Sequence, residues 1–130
     1  MKRIVGLSLA FLLLLSSSAV AAERTAIAVA AEKDTPNSQV STVAGRSPYF
    51  LLFDEKGAFL EAVSNPYQNA RGGAGSAAAD FLAAKGVKVI VAGTFGPRMV
   101  GAMQAKNLRH LEFKGSAADA VKQAIADSSP

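Results

Sequence analysis

The sequence of 130 residues has no cysteine and a single histidine, His110. The absence of cysteine excludes disulfides, thiolate catalysis, Cys-ligated iron–sulfur clusters and zinc knuckles. One histidine without cysteine partners makes a poor transition-metal site, so we predict an ordinary side chain in or beside the last strand. Stability must then come from a hydrophobic core alone, and a chain of about 100 residues is long enough to bury one.

Long apolar runs are also scarce, and residues 4–15 form the longest one. Lys2 and Arg3 precede this run and small residues follow it, which is the order found in a secretory signal peptide. The run is shorter than the stretch of about 20 residues that spans a bilayer. We therefore predict a signal peptide at residues 1–22, cleaved near Ala21 or Ala22, and export to the periplasm or the medium. An uncleaved anchor helix is the alternative.

Removal of residues 1–22 leaves residues 23–130, which is a length typical of one domain. The formal charge of +4 at pH 7 falls to +2 once Lys2 and Arg3 are gone. So small a charge gives no case for nucleic-acid binding. No later apolar run is long enough to cross a membrane. We expect one exported domain with no nucleic-acid partner and no stable membrane anchor after cleavage.

The apolar and turn patterns of this domain predict strands and helices in a mixed order. Strands are predicted at 25–31, 49–54, 58–64, 87–92 and 108–113, and helices at 76–85, at 97–106 and after Ser116, with a frayed tail at 127–130. The turn Glu55-Lys56-Gly57 makes the second and third strands an antiparallel hairpin. The later alternation of strand and helix implies parallel strands. The predicted fold class is α/β, a five-stranded mixed sheet with helices packed on it.

Two glycine-rich loops are the candidate binding site, because residues 72–75 open the first helix and residues 93–96 open the second. Both loops should lie at one edge of the sheet. Helix N-termini present unpaired N–H groups and a partial positive charge, which suit anions. Glycine lets a ligand approach the backbone closely. The proposed site residues are Arg46, Arg71, Gly73, Gly75, Thr94, Gly96 and Arg98.

A thiometallate cluster, an oxyanion or a phosphate fits the chemistry of these loops, with the arginines adding charge-assisted hydrogen bonds. The alternative is that the glycines only permit tight turns and the arginines are solvated. The glycine spacing matches neither a phosphate-binding Walker loop nor a dinucleotide-binding fingerprint.

Other residue types that carry chemistry have simpler explanations. Met99 and Met103 lie four residues apart on a predicted helix and should pack in the core, although two thioethers can also hold Cu(I). Glu32, Asp34 and Asp54 do not form the converging set of acids that two-metal nucleases need.

Nucleophilic hydrolysis has no support either. Ser76 and Ser116 stand at predicted helix starts, where capping explains them. No Gly-x-Ser-x-Gly elbow is present. We propose no catalytic residue and expect a binding protein rather than an enzyme.

Several short motifs in a fixed order resemble those of a known family. They are Val40-Ser41, Gly45-Arg46-Ser47-Pro48-Tyr49-Phe50, Asn65-Pro66, Gly72-Gly73-Ala74-Gly75, Gly86-Val87 with Val89-Ile90, and Gly93 with Gly96-Pro97. The chain resembles the dinitrogenase iron–molybdenum cofactor biosynthesis family, the NifX/NafY-like domain. The resemblance implies a three-layer, ribonuclease-H-like fold with strand order 3-2-1-4-5 and strand 2 antiparallel. It also implies binding or carriage of an iron- or molybdenum-containing cluster.

The sequence departs from this family at one pair of positions. The usual motif has a His-Phe pair before Gly-Arg, with the histidine a candidate cluster ligand, and this chain has Val43-Ala44 there. An isopropyl group does not coordinate metal. The function that the resemblance implies is binding of a metal cluster or small anion. The alternative is an exported protein–protein interaction module that has lost cluster binding.

Overall fold

The computed structural model describes residues 24–128. The predicted signal peptide, residues 1–22, lies outside the described residues, as do residues 129 and 130. Within the described range, no helix combines the length and apolar character that a membrane crossing requires.

Within residues 24–128, five strands form one mixed sheet in the spatial order β3-β2-β1-β4-β5. The strands are β1 (Thr25–Ala31), β2 (Tyr49–Asp54), β3 (Phe59–Ser64), β4 (Val89–Ala92) and β5 (Arg109–Glu112). β2 runs antiparallel to both β1 and β3, whereas β4 runs parallel to both β1 and β5. The predicted α/β class, strand order and antiparallel second strand are therefore confirmed.

The central strand β1 explains why its sequence is an unbroken apolar run. All seven of its residues are buried, because β2 and β4 flank it and packed layers cover both of its faces. A strand covered on both faces has no polar side to present to water. The edge strand β5, by contrast, reads Arg-His-Leu-Glu and is largely exposed.

The described part of the chain has three helices, which divide between the two faces of the sheet: α1 (Ala74–Ala84), α2 (Pro97–Ala105) and α3 (Ala117–Ser128). α1 and α2 pack over one face through Leu82, Met99 and Met103, on a core that includes Phe50. α3 packs on the other face through an apolar stripe whose members include Val121. Alternate residues of each strand point to opposite faces, which produces these two cores from one sheet.

Several boundaries differ from the sequence prediction by one to two residues. α1 begins at Ala74 rather than Ser76, because Gly73 adopts a left-handed conformation (φ 69°) and its carbonyl accepts the first helical hydrogen bond, from Ala77 at 3.0 Å. Ser76 therefore lies inside the first turn and is not the cap. At the other end of the chain, α3 continues through Asp127 and Ser128, where a frayed tail was predicted.

Other local predictions are confirmed. Met99 and Met103 lie in the core, as predicted, with 1% and 0% of their surface exposed. Ser116 caps α3, since its Oγ accepts a hydrogen bond from the N–H of Asp119 at 3.2 Å. One short element was not predicted, a 3-10 turn at Ala44–Arg46.

Candidate functional site

A cavity of about 340 Å³ opens where β1 and β4 end and the glycine-rich loops begin. Three chain segments build it: the 3-10 turn, the start of α1 and the start of α2. The lining residues are Val43, Gly45, Arg46, Gly73, Ala74, Gly75, Ser76, Gly96, Pro97, Arg98 and Met99. The prediction that both glycine loops meet at one edge of the sheet is thus confirmed.

Direct backbone contact holds the 3-10 turn against α1. A Cβ built on Gly45 would lie 2.8 Å from the Cα of Gly75 and 2.9 Å from its nitrogen. Carbon atoms in contact normally stand about 3.5–4.0 Å apart, so a side chain at Gly45 would push the two segments apart. Glycine at this position is required for the close approach that shapes the cavity wall.

The first turns of α1 and α2 are packed together just as closely. A Cβ on Gly75 would lie 2.8 Å from the Cβ of Met99. Because Met99 is fully buried against the core, it fixes the separation of the two helix starts. The two N-termini consequently face the same cavity.

Each N-terminus leaves backbone donors available. In α1 the first intrahelical bond is made by Ala77, and among residues 24–128 no acceptor pairs with the N–H groups of Gly75 or Ser76. In α2 the first bond runs from Val100 to Gly96 at 3.1 Å, and the N–H groups of Arg98 and Met99 likewise find no acceptor in that range. Helix starts normally leave such donors unpaired, and the helix dipole adds a partial positive charge there.

The three candidate arginines occupy different positions. Arg98 lines the cavity, and no hydrogen bond or ion pair engages its side chain within the described chain. Arg46 also lines the cavity, but its guanidinium donates to the carbonyl oxygens of Gln68 and Ala70. Arg71 is exposed and is not a lining residue. Arg98 is therefore the arginine most available to a ligand.

Thr94 does not line the cavity but anchors the segment that leads into the 3-10 turn. Its Oγ1 donates to the carbonyl of Thr42 at 2.9 Å, and its N–H donates to the same oxygen at 2.6 Å. Its own carbonyl accepts from the N–H of Ala44 at 3.1 Å. These bonds attach the segment before the 3-10 turn to the loop that follows β4.

Asn65 is a buried support whose role the sequence did not reveal. Its Nδ2 donates to the carbonyl oxygens of Gly45 and Ser47, both at 3.0 Å. Its Oδ1 accepts from the N–H of Tyr67 at 2.9 Å. The sequence marked Asn65-Pro66 as a motif and a turn, and the bond from Tyr67 belongs to that turn. The two Nδ2 bonds, however, join segments about twenty residues apart and leave no local pattern.

Val43 stands at the cavity rim with 44% of its surface exposed. It is one of two large apolar side chains that are exposed in the described chain. His110 does not reach the site and instead packs edge-on against Phe95, with ring centroids 5.2 Å apart.

A larger groove, of about 550 Å³, lies at the opposite end of the sheet and includes Asp54. That carboxylate is already engaged, since it accepts hydrogen bonds from the N–H groups of Ala58 and Lys56, both at 2.9 Å, and from Arg24 at 3.3 Å. The bond from Ala58, supported by those from Lys56 and Arg24, holds the pKa of Asp54 below its usual value despite burial. Because these hydrogen bonds already occupy the buried carboxylate, we assign Asp54 to stabilising the β2–β3 turn and do not take this groove as the candidate site.

The chemistry that the smaller cavity offers is therefore hydrogen-bond donation and positive charge. Within residues 24–128, no three His, Cys, Asp or Glu side chains come together as a metal-binding group. The residues that line the cavity supply backbone N–H groups from both helix starts, the polar side chain of Ser76 and two arginines, of which Arg98 is free of other hydrogen bonds within the described chain. Such a lining suits an anion.

Comparison with known proteins agrees with this architecture. The sequence profile of a family described as "Dinitrogenase iron-molybdenum cofactor" matches residues 25–127. The apo form of the orange protein from Desulfovibrio gigas is 31% identical, with a TM-score of 0.73 over 83% of this chain and 91% of that chain. Among curated protein sequences, none matches the chain significantly.

Two more distant structures share the fold. A putative NifB protein from Thermotoga is 24% identical, with a TM-score of 0.64 over 81% of this chain and 89% of that chain. A putative dinitrogenase from Methanocaldococcus jannaschii is 12% identical, with a TM-score of 0.53 over 82% of this chain and 98% of that chain. At these identities the likeness concerns the fold alone.

Proposed function

Because the chain belongs to the dinitrogenase iron–molybdenum cofactor family, we propose that it is a binding protein and not an enzyme. Its ligand is a small anion or an anionic metal cluster, held in the cavity between the N-termini of α1 and α2. The observation that carries this proposal is the convergence of two helix starts, with unpaired N–H groups from each, on one cavity that Arg98 also lines.

The electrostatics of the cavity support an anionic ligand. Each helix N-terminus is equivalent to roughly half a positive charge, and the effect falls off within the first turn. A ligand between Gly75 and Arg98 would lie within the first turn of both helices at once. The guanidinium of Arg98 adds a full charge, and hydrogen bonds to an ionised partner are the stronger kind.

The donor set also defines how a metal cluster would be held. The cavity offers N–H and guanidinium donors, and Met99, the lining residue that carries sulfur, is packed in the core. Oxide or sulfide atoms on the outside of a cluster are acceptors that match these donors. The cluster would then be carried as cargo, through hydrogen bonds to its outer atoms.

Calorimetric titration of residues 23–130 with molybdate, tetrathiomolybdate and phosphate tests the proposal. We expect saturable binding of at least one of these anions, and a loss of about tenfold in affinity, or about 1.4 kcal/mol, for Arg98→Gln. Arg109→Gln is the matched control, since Arg109 is exposed at the opposite end of the sheet. Equal loss in both variants would show a non-specific charge effect, and unchanged affinity in Arg98→Gln would remove the cavity as the site.

Export is part of the same proposal. The charged, apolar and small-residue order of residues 1–22 supports a signal peptide. Intact-mass measurement of the protein from the periplasmic fraction should give a chain that begins at residue 22 or 23. A chain that keeps residues 1–22 and sediments with membranes would contradict cleavage and favour the anchor.

One observation favours a second function, that of a protein–protein interaction module. Val43 is 44% exposed at the cavity rim, where the family motif has its histidine, and exposed apolar surface often marks a partner site. Elemental analysis of native protein separates the two functions. Stoichiometric molybdenum, iron or copper would favour cluster carriage. A metal-free protein that co-purifies with a partner, and loses it on Val43→Ser, would favour the module.

A further inference from the structure

The two faces of the sheet are covered unequally. Five strands spaced about 4.8 Å apart make a sheet about 20 Å wide, whereas a helix is about 10 Å across. Among the elements of residues 24–128, α1 and α2 together cover one face, whereas α3 alone packs on the other, against β1 and β4. On the part of that face formed by β2 and β3, a groove runs between the strands and α3.

This groove has a volume of about 330 Å³ and mostly apolar walls. It is lined by Pro36, Phe53, Lys56, Gly57, Phe59, Ala118, Val121, Lys122 and Ile125. Phe53 is buried and Phe59 is 40% exposed, with the two ring centroids 5.5 Å apart and the planes inclined at 61°. An edge-to-face aromatic pair therefore forms one wall, and the side chains of α3 form the other.

The β2–β3 turn lies directly against α3 at the groove. Gly57 has a φ of +90°, and a Cβ there would lie 2.9 Å from Cδ1 of Ile125 and 3.2 Å from Cγ1 of Val121. Only a glycine permits both this backbone conformation and this contact. The groove is thus held between two fixed elements.

The charges on the groove are of one sign. Among the described residues that line it, Lys56 and Lys122 are the ionisable ones. Ion pairs in the described chain join Arg24 to Asp54 and Lys106 to Asp80, so neither ammonium group has an acidic partner there. Lysine stems commonly lie along apolar surface while the charged end stays in water.

We propose that this groove binds an amphiphilic anion, a small molecule with an aromatic or aliphatic body and one carboxylate or sulfonate group. The body lies on Phe59 and the apolar side chains of α3, and the anionic group pairs with Lys56 or Lys122. The volume is at the lower end of the range of small-molecule pockets. Among the described residues, the groove shares no lining residue with the cavity between α1 and α2, so the two are separate sites.

Two fluorescent probes that share an apolar body test this proposal. 8-Anilinonaphthalene-1-sulfonate carries a sulfonate, and N-phenyl-1-naphthylamine has nearly the same body without charge. Residues 23–130 should bind the sulfonate probe saturably at one site and the neutral probe about tenfold more weakly. Raising the salt concentration from about 0.01 M to about 1 M should lower the affinity for the sulfonate probe only, because salt screens its attraction to the lysines.

Variants locate the binding. Lys56→Gln and Lys122→Gln keep exposed positions polar. Each should lower the affinity for the sulfonate probe about threefold and leave the affinity for the neutral probe unchanged. Phe59→Ser should weaken both probes, whereas Phe59→Leu should keep most of the affinity. Lys114→Gln is the matched control, because Lys114 is exposed and outside the groove. Circular dichroism checks that each variant is folded.

Four results would overturn the proposal. One is the absence of saturable binding, and another is the same affinity in all lysine variants, which would show that charge plays no role. The third is a dimer by equilibrium sedimentation that Phe59→Ser converts to a monomer, because a second copy would then cover the groove. Competition by molybdate or phosphate would equally place the probe in the other cavity and contradict this site.

Discussion

The contact between Gly45 and Gly75 makes a quantitative prediction for the variant Gly45→Ala. The added Cβ would lie 2.8 Å from the Cα of Gly75, where about 3.5 Å is the shortest comfortable distance. Both partners are backbone, so relief requires that the 3-10 turn move away from α1. Asn65 resists that movement, because its side chain holds the carbonyl of Gly45 at 3.0 Å.

Overpacking of this kind typically costs about 1–3 kcal/mol of unfolding free energy. For a domain of this size each kcal/mol lowers Tm by about 4–8 °C. We therefore expect Gly45→Ala to lower Tm by about 5–20 °C. Because the same movement changes the cavity wall, the affinity for anions should fall as well.

Calorimetric Tm and urea midpoints of residues 23–130 measure this effect. Gly101→Ala is the matched control, since Gly101 is exposed in α2 and a Cβ there meets no atom within 4 Å. Alanine in a helix interior is favoured over glycine by about 0.5–1 kcal/mol, so this control should be slightly more stable than the wild type. If Gly45→Ala matched the wild type in Tm, the proposed backbone contact would be wrong.

Three further variants probe the Asn65 support, the Asp54 carboxylate at the opposite end of the sheet and the Val43 rim. Asn65→Asp removes the donor that faces the carbonyl of Gly45 and should cost about 3 kcal/mol in urea unfolding, and a change under 1 kcal/mol would contradict its role. The depressed pKa of Asp54 contributes stability that is present above the unfolded-state pKa of about 3.9 and is lost as pH falls through the lower folded-state value. Asp54→Asn should therefore reduce the pH dependence of the urea midpoint between about pH 5 and pH 2. The same pH dependence in the variant and the wild type would refute this. Val43→His places an imidazole at the rim and should raise affinity for a copper- or molybdenum-containing ligand about tenfold by equilibrium dialysis, while phosphate affinity, the control, stays the same.

The fold was predictable because its signals are local. The unbroken apolar run of β1 marks a strand buried on both faces, and the Glu55-Lys56-Gly57 turn marks a hairpin. Gly96-Pro97 also gave the start of α2 correctly. These features need only neighbouring residues, whereas the strand order was an expectation implied by the resemblance to the family.

The details of the site were less predictable, because they depend on contacts between distant segments. The sequence identified the glycine loops and Arg98, but it treated Arg46, Arg71 and Arg98 as equivalent. The structure separates them, since the carbonyls of Gln68 and Ala70 engage Arg46, whereas Arg71 lies outside the lining.

Gly45 and Asn65 show the same limit of local reasoning. Both stood in recognised motifs, but the structural role of each depends on a partner twenty or more residues away. Ser76 was assigned as a cap because serine suits that position. Gly73 takes the role instead, since its left-handed conformation lets the helix start two residues earlier.

The central claim is that the N–H groups at the starts of α1 and α2 bind an anion. The most direct test is a titration of ¹⁵N-labelled residues 23–130 with molybdate and tetrathiomolybdate, followed by amide chemical shifts. We predict that the largest shifts occur at Gly75, Ser76, Arg98 and Met99 and saturate together. Shifts confined to the opposite end of the sheet, around Lys88 and Arg109, or no saturable shift with either anion, would contradict the claim.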